Sequence, residues 1–224
     1  MENLYVKSKN RFIAKTYFTM GLGLLLTFAA ALATYRLMFT NLIQIPVQTF
    51  FVAAVAEVAL VWFLSARINK LSVSSARMWF FVYSILNGFT LSVVFSSYGF
   101  GRSLMAFLLS SIMFFCSAMI GVTTKKDLST FSRVLFMGVI GLIVLGIFQM
   151  IGLLSGMNLI ISLLGIVIFC GLTAYDMQNI KRFHSSVMSY DANTVNKYAI
   201  IAALQLYLDF INIFLYVLRL FDRN

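Results

Sequence analysis

Residues 134–175 read VLFMGVIGLIVLGIFQMIGLLSGMNLIISLLGIVIFCGLTAY, and no acidic or basic residue interrupts them. A helix that crosses a bilayer needs about 20 apolar residues, so this run is long enough for two crossings and must be broken once. Ser155-Gly156-Met157-Asn158 is the predicted break, a cluster of small and turn-forming residues inside a Leu, Ile, Val and Phe background. Working outward, five more apolar runs of spanning length follow the same rule. The seven predicted spans lie at 17–38, 43–66, 78–98, 102–124, 134–154, 157–179 and 198–220. The expectation is an all-α membrane protein with seven transmembrane helices, forming one domain over residues 1–224.

Composition agrees. Hydrophobic residues make up 61% of the 224 and charged residues 11%, where a soluble domain carries roughly 25% charged. Such a chain cannot clothe itself in polar side chains, and its solvent is membrane lipid. The connections are short, so no soluble domain stands ready for chemistry. Pro46 is the sole proline, and Cys116 and Cys170 both sit inside apolar runs, as packing positions and not as a disulfide framework. The first apolar run is too long for a signal-peptide core and lacks a small-residue cleavage pattern, so it is expected to be retained.

The net charge of +10 does not point to nucleic acid, because the basic residues form short clusters between apolar runs. They orient the chain. Thirteen of the 17 Lys and Arg residues, among them Lys7, Lys9, Arg67, Lys125, Lys126, Lys181 and Lys197, fall on the side of the N-terminus, and Arg36, Arg102, Arg219 and Arg223 fall on the other. The positive-inside rule then predicts a cytoplasmic N-terminus and a C-terminus on the opposite side.

Three carboxylates lie inside predicted spans: Glu57, Asp176 and Asp209. An ionised group at membrane depth is costly, so such residues are expected to face the protein interior and to serve function. On the seventh span, Gln205, Asp209, Asn212, Tyr216 and Arg219 recur at spacings of four and three, on one helical face. Thr173, Asp176 and Asn179 share a face of the sixth span, and the third adds Asn87 and Thr90. These oxygens suit a cation pausing along a path. Calcium takes about 6–8 oxygens, and no calcium-loop motif is present. The structural reading stands beside the functional one: Gln205, Asn212, Asn87 and Thr173 also suit interhelical hydrogen bonding. His184, beside Lys181 and Arg182, reads as a solvated residue, and Arg219 as an interfacial one that snorkels.

Gly171-Leu-Thr-Ala-Tyr-Asp176 and Tyr207-Leu-Asp-Phe-Ile-Asn-Ile-Phe-Leu-Tyr-Val-Leu-Arg219, with Thr124-Lys-Lys-Asp-Leu-Ser129, resemble the Bax inhibitor motif family, and its bacterial branch in particular. The resemblance implies a central seventh helix wrapped by two layers of three. It implies that Asp176 and Asp209 form a paired pH sensor, with a basic residue of the second helix, here Arg67, near the aspartate of the sixth. It also implies a proton-sensitive calcium leak in the bacterial inner membrane, a suppressor of stress or cell death, or both. Depth counting sets a condition on the aspartate pair. Asp176 lies ~7.5 Å of helix before Lys181 and Asp209 lies ~18 Å after Lys197. For them to meet, the sixth helix must run past Lys181 or the seventh must begin well before the bilayer.

The expected function is a pH-gated calcium leak, not an enzyme and without a cofactor. Asp176, Asp209 and Arg67 would form its gate, and Glu57, Gln205, Asn212 and Asn87 its ion path. The two aspartates would hold calcium transiently. Two alternatives remain. Two aspartates on neighbouring helices are also the equipment of an intramembrane aspartyl protease, although the segment before Asp209 is not glycine-rich. A non-enzymatic regulator that binds other membrane proteins, in membrane protein quality control for example, fits the same sequence.

Overall fold

The computed structural model describes residues 2–154, 156–186 and 191–221, without the side chains of residues 2–9 and 184–186. Ser155, Arg223 and the side chains of Lys7, Lys9 and His184 therefore lie outside the described residues. Seven helices follow one another: α1 (Glu2–Phe39), α2 (Val47–Arg67), α3 (Val73–Tyr98), α4 (Phe100–Thr123), α5 (Ser129–Met150), α6 (Asn158–Ser186) and α7 (Ala192–Leu220). Each is long and apolar enough to cross a membrane. No strand occurs among the described residues. Without water in hydrocarbon, a helix satisfies its own backbone, and this favours it over open strands.

Helix ends depart from the apolar boundaries for local reasons. Pro46, extended at φ −60° and ψ 142°, sets the start of α2 at Val47. The Ser72 hydroxyl accepts from the Ser75 amide at 3.0 Å and caps α3. The Asp127 carboxylate accepts from the Ser129 amide at 2.9 Å, so α5 starts before its apolar run does. The turn between α5 and α6 falls where expected, but Asn158 opens α6 instead of completing the turn. Polar helical extensions carry α1 back to Glu2, α6 on to Ser186 and α7 back to Ala192. Nothing in those segments breaks a helix, and hydropathy sees only the part that lipid requires.

Contacts divide the chain into two compact units. The first comprises Met1–Phe100 with Phe183–Tyr207, and the second Gly101–Arg182 with Leu208–Asn224, so α7 belongs to both.

In the first unit α3 packs against α1 and α2. A Cβ on Gly88 would overlap the Thr27 carbonyl and crowd Ala30, so only glycine permits the α1–α3 approach. Phe50 stacks on Phe89 at 4.9 Å and Phe63 meets Trp79 edge-on at 5.5 Å, joining α2 to α3. Lys15 donates to the Asn196 side-chain oxygen at 2.6 Å and Lys197 to the Asn69 carbonyl at 2.9 Å.

In the second unit α4 meets α6 where a Cβ on Gly121 would overlap the Ala174 carbonyl. Phe107 and Phe114 both stand edge-on to Phe210 of α7, at 5.3 and 5.7 Å. Phe169 of α6 stacks on Tyr216 at 5.9 Å.

Gly88→Ala and Gly121→Ala should each destabilise the protein by about 1–3 kcal/mol, the usual cost of overpacking a tight contact. Gly21→Ala, where a Cβ meets nothing within 4 Å, should leave the melting temperature unchanged or raise it. Thermal unfolding of the three variants in one detergent checks this.

Candidate functional site

Two polar centres are built into the apolar interior. In the first unit Glu57 projects from the middle of α2 and is half-buried. Its Oε2 accepts from the Asn87 amide at 2.8 Å, and its Oε1 lies 2.7 Å from the Thr90 hydroxyl. The three-residue spacing of Asn87 and Thr90 puts both on the face of α3 that meets α2. The chain of bonds continues inward. The Tyr207 hydroxyl of α7 donates to the Asn87 side-chain oxygen at 2.9 Å and lies 2.6 Å from the Thr27 hydroxyl of α1. The Thr27 hydroxyl also lies 2.9 Å from the Gly23 carbonyl and 2.8 Å from the Ser84 carbonyl, to either of which it can donate. Phe80 and Tyr83 stand edge-on to the Tyr207 ring at 5.7 and 5.6 Å and exclude water from it. Four helices thus contribute to one connected set. The sequence pointed to Glu57, Asn87 and Thr90. Thr27 and Tyr207 escaped notice because a lone threonine and a tyrosine are ordinary in apolar helices. Their signal was the identity of α7 as the most polar-striped span.

The second centre lies in the second unit. Asp209 of α7 is 5% exposed, and its Oδ2 has no hydrogen-bond partner. Asp176 of α6, half-buried, acts on it electrostatically, and Thr173 turns its hydroxyl to it. Thr173 also contacts its own helix at the Phe169 carbonyl, 2.8 Å away. The condition set by depth counting is met, because α6 continues past Lys181 to Ser186 and α7 begins five residues before Lys197. Asp209 is buried, and Glu57 and Asp176 are half-buried. Among the described residues, no three His, Cys, Asp or Glu side chains come together as a metal cluster.

The polar stripe of α7 lies on the least covered side of the helix. Between Ala199 and Arg219 the residues that are not buried are Ile201, Gln205, Leu208, Asn212, Leu215, Tyr216 and Arg219. Their spacing of three and four marks one face. The stripe is therefore the most open face of the helix, with Asp209 at its buried edge. Gln205 is exposed. Asn212 spends its amide on the Leu208 carbonyl of its own helix at 2.8 Å. Tyr216 lies under the Arg219 guanidinium, 5.4 Å from ring centre to Cζ. Arg67 ends α2 and is exposed, in the first unit, whereas Asp176 belongs to the second.

The Thr124–Ser129 motif also finds its place. Gln178 of α6, 4% exposed, grips the α4–α5 loop at both ends of its amide. It accepts from the Leu128 N–H at 2.9 Å and donates to the Lys126 carbonyl at 2.8 Å. One turn on, Lys181 donates to the Val122 carbonyl and Arg182 to the Asp127 carboxylate, both at 2.7 Å. Residues 178, 181 and 182 share one helical face, so α6 holds the loop along a single line. The Arg182 guanidinium, with the Ser129 amide, holds the Asp127 carboxyl down at about 2. A depressed acid stabilises the fold above its unfolded value near ~3.9 and loses that contribution only as pH falls through about 2. This clamp is therefore indifferent to pH across the physiological range. Gln178 was not singled out from the sequence, although an amide two residues past Asp176 in an apolar helix was the available signal.

Gln178→Leu should leave the half-buried Leu128 amide without its partner and cost about 1 kcal/mol. Gln178→Glu, which retains the acceptor, should recover part of the loss, and thermal unfolding distinguishes the two.

Comparison with known proteins agrees with this architecture. The sequence model of the family described as inhibitor of apoptosis-promoting Bax1 matches residues 9–224. An uncharacterized protein of Borreliella burgdorferi is 39% identical over 217 residues, which cover 94% of this chain and 91% of that protein. Inner membrane protein YbhL of Escherichia coli is 38% identical over 220 residues, covering 95% and 92%. An uncharacterized membrane protein of Streptococcus pyogenes serotype M1 is 36% identical over 221 residues, covering 96% and 93%. With a family match over almost the whole chain and similarity across nearly the full length of these relatives, this protein is a member of the Bax inhibitor family.

Proposed function

We propose that this protein is a pH-sensitive cation leak of a bacterial inner membrane, with calcium as the permeant ion and Asp176 and Asp209 as its proton-sensing pair. The observation that carries the reading is the open polar face of α7. Gln205 and Asn212 lie on the one face of an otherwise buried helix that protein does not cover, with Asp209 at its edge. Polar side chains at membrane depth are disfavoured against lipid, so such a face borders water. A helix that meets water through amides, with a carboxyl buried at their edge, suits the wall of an ion path. Glu57 adds a second negative charge that raises the local cation concentration. The aspartates would hold calcium only in passing, since two carboxylates fall well short of its usual shell of about 6–8 oxygens.

The gating reading follows from electrostatics. Two carboxyl groups that act on each other in a dry setting do not both ionise readily, so one proton is retained to a higher pH than an isolated aspartate allows. Losing that proton changes the charge of the pair and biases its neighbours, with Arg67 as the proposed basic partner. The inner-membrane location accords with the name of the Escherichia coli relative. The N-terminus is proposed to be cytoplasmic, on the positive-inside count.

Purified protein in calcium-dye liposomes tests the proposal. Calcium entry should vary between about pH 5 and about pH 9, well above ~3.9, where an isolated aspartate titrates. Asp176→Asn and Asp209→Asn should each flatten the curve, and the double variant should add little, because the two groups act as one unit. Parallel pH curves in all four proteins would sink the sensor. Absence of flux, together with cleavage of a membrane substrate, would favour a protease instead, and absence of both a regulator. Glu57→Gln should lower flux about tenfold, the low end of what charge focusing supplies. Unchanged flux in that variant would reduce Glu57 to a structural role.

A further inference from the structure

Two half-buried cations, Lys15 of α1 and Arg77 of α3, stand side by side in the first unit. Their register follows from the tight contacts between the same helices. A Cβ on Gly88 would overlap the Thr27 carbonyl, and a Cβ on Gly23 would crowd the Ser84 hydroxyl. Both pairs lie 61 positions apart, so α1 and α3 run parallel and in step. The same step from Lys15 leads to the buried Ala76 and its neighbour Arg77. Arg77 accordingly acts on Lys15 electrostatically. A third helix joins them, because Lys15 Nζ donates to the Asn196 side-chain oxygen of α7 at 2.6 Å. Two neighbouring like charges repel unless an anion answers both.

No acidic side chain described in the first unit supplies that anion. Glu57 bonds to Asn87 and Thr90 in mid-span, and Asp191 accepts from the Thr194 hydroxyl. The one ion pair among the described residues joins Arg182 to Asp127, in the other unit. The position of the three groups points to where the anion comes from. The apolar runs of α1, α3 and α7 begin at Tyr17, Met78 and Tyr198, so Lys15, Arg77 and Asn196 each precede one by a residue or two. Odd-numbered spans enter from the same side, and the three groups therefore meet at the depth of the lipid phosphates.

We propose that Lys15, Arg77 and Asn196 form a seat for the phosphate of an anionic phospholipid, in the leaflet on the side of the N-terminus. The Arg77 fork offers two N–H groups to two phosphate oxygens. The Lys15 ammonium has donors beyond the one given to Asn196, and Asn196, whose oxygen Lys15 occupies, keeps its NH2 as a donor. A zwitterionic headgroup brings a cation of its own against the same pair and is disfavoured. The bound lipid fastens α1, α3 and α7 at the membrane surface. This holds whether or not the protein conducts ions.

Thermal unfolding in a neutral detergent tests the seat. Added phosphatidylglycerol should raise the melting temperature by about 5 °C at saturation. Phosphatidylcholine, or inorganic phosphate, at the same concentration should not. Lys15→Gln/Arg77→Gln should abolish the rise. Lys125→Gln/Lys126→Gln removes as many charges on the same side of the membrane, in the second unit, and should keep it. Arg77→Gln alone supplies a further arm if the double variant does not fold. It should increase the lipid concentration needed for half the effect about fivefold, the worth of one basic side chain near an anionic surface. The proposal is overturned if phosphatidylglycerol gives no rise, if phosphatidylcholine matches it, or if inorganic phosphate alone gives the full rise. It is equally overturned if the rise survives loss of both Lys15 and Arg77, if Arg77→Gln leaves the half-effect concentration unchanged, or if Lys125→Gln/Lys126→Gln also loses the rise. None of these readouts depends on calcium flux, so the lipid seat and the leak can fail separately.

Discussion

A polar side chain inside hydrocarbon has no water to return to, and its only relief is another protein group. Glu57, Asn87, Tyr207 and Thr27 answer that constraint by bonding to one another across four helices, over 2.6–2.9 Å. Each bond is ordinary in strength, of the order of 1 kcal/mol. What they decide is register. The Asn87 amide reaches both Glu57 and Tyr207 only when α2, α3 and α7 hold their relative heights. The apolar contacts around them, such as Phe50 on Phe89, are less particular and would tolerate sliding. The glycine contacts act in the same direction by shape, since Gly88 and Gly121 each bring two backbones to a distance that any side chain would forbid.

The two centres differ in how completely they are satisfied. Around Glu57 each carboxylate oxygen has a donor, Asn87 on one and Thr90 on the other. Asp209 keeps an oxygen without one, deep in the second unit. A bonded cluster holds a shape, whereas a buried oxygen without a partner adds nothing to the hold between helices. Asp127 shows a third condition. Exposed and doubly bonded, it stays charged at any pH a cell meets.

Much of this was legible in the sequence because hydropathy and length govern a membrane chain so strictly. The uncharged run at 134–175 gave α5, α6 and the turn between them, and three carboxylates marked both polar centres. Two things were not legible. Helix ends that project beyond the lipid obey caps and breakers, so α6 overran its apolar boundary to Ser186 and α5 began at Ser129 under the Asp127 carboxylate. Polarity along α7 gave the right face but not what lies opposite it. Gln205 and Asn212 share a stripe, and the stripe is the open side of the helix. Periodicity reports that residues lie together and is silent on whether protein or water lies opposite. Tyr207 and Gln178 were hidden for a related reason, since each takes its importance from a partner on a distant segment.

The lysine contacts have an electrical consequence. Lys15 and Lys197 each donate to a neutral oxygen, on Asn196 and Asn69. A neutral acceptor fixes an ammonium group in place without cancelling its charge. The ends of the helices where these lysines sit are therefore held together by bonds that leave the ammonium charge itself uncancelled. Added salt shortens the reach of that charge to about a Debye length, ~8 Å at physiological strength, and leaves the bonds intact. Ionic strength thus tunes how these ends attract counter-ions without loosening the scaffold that carries them.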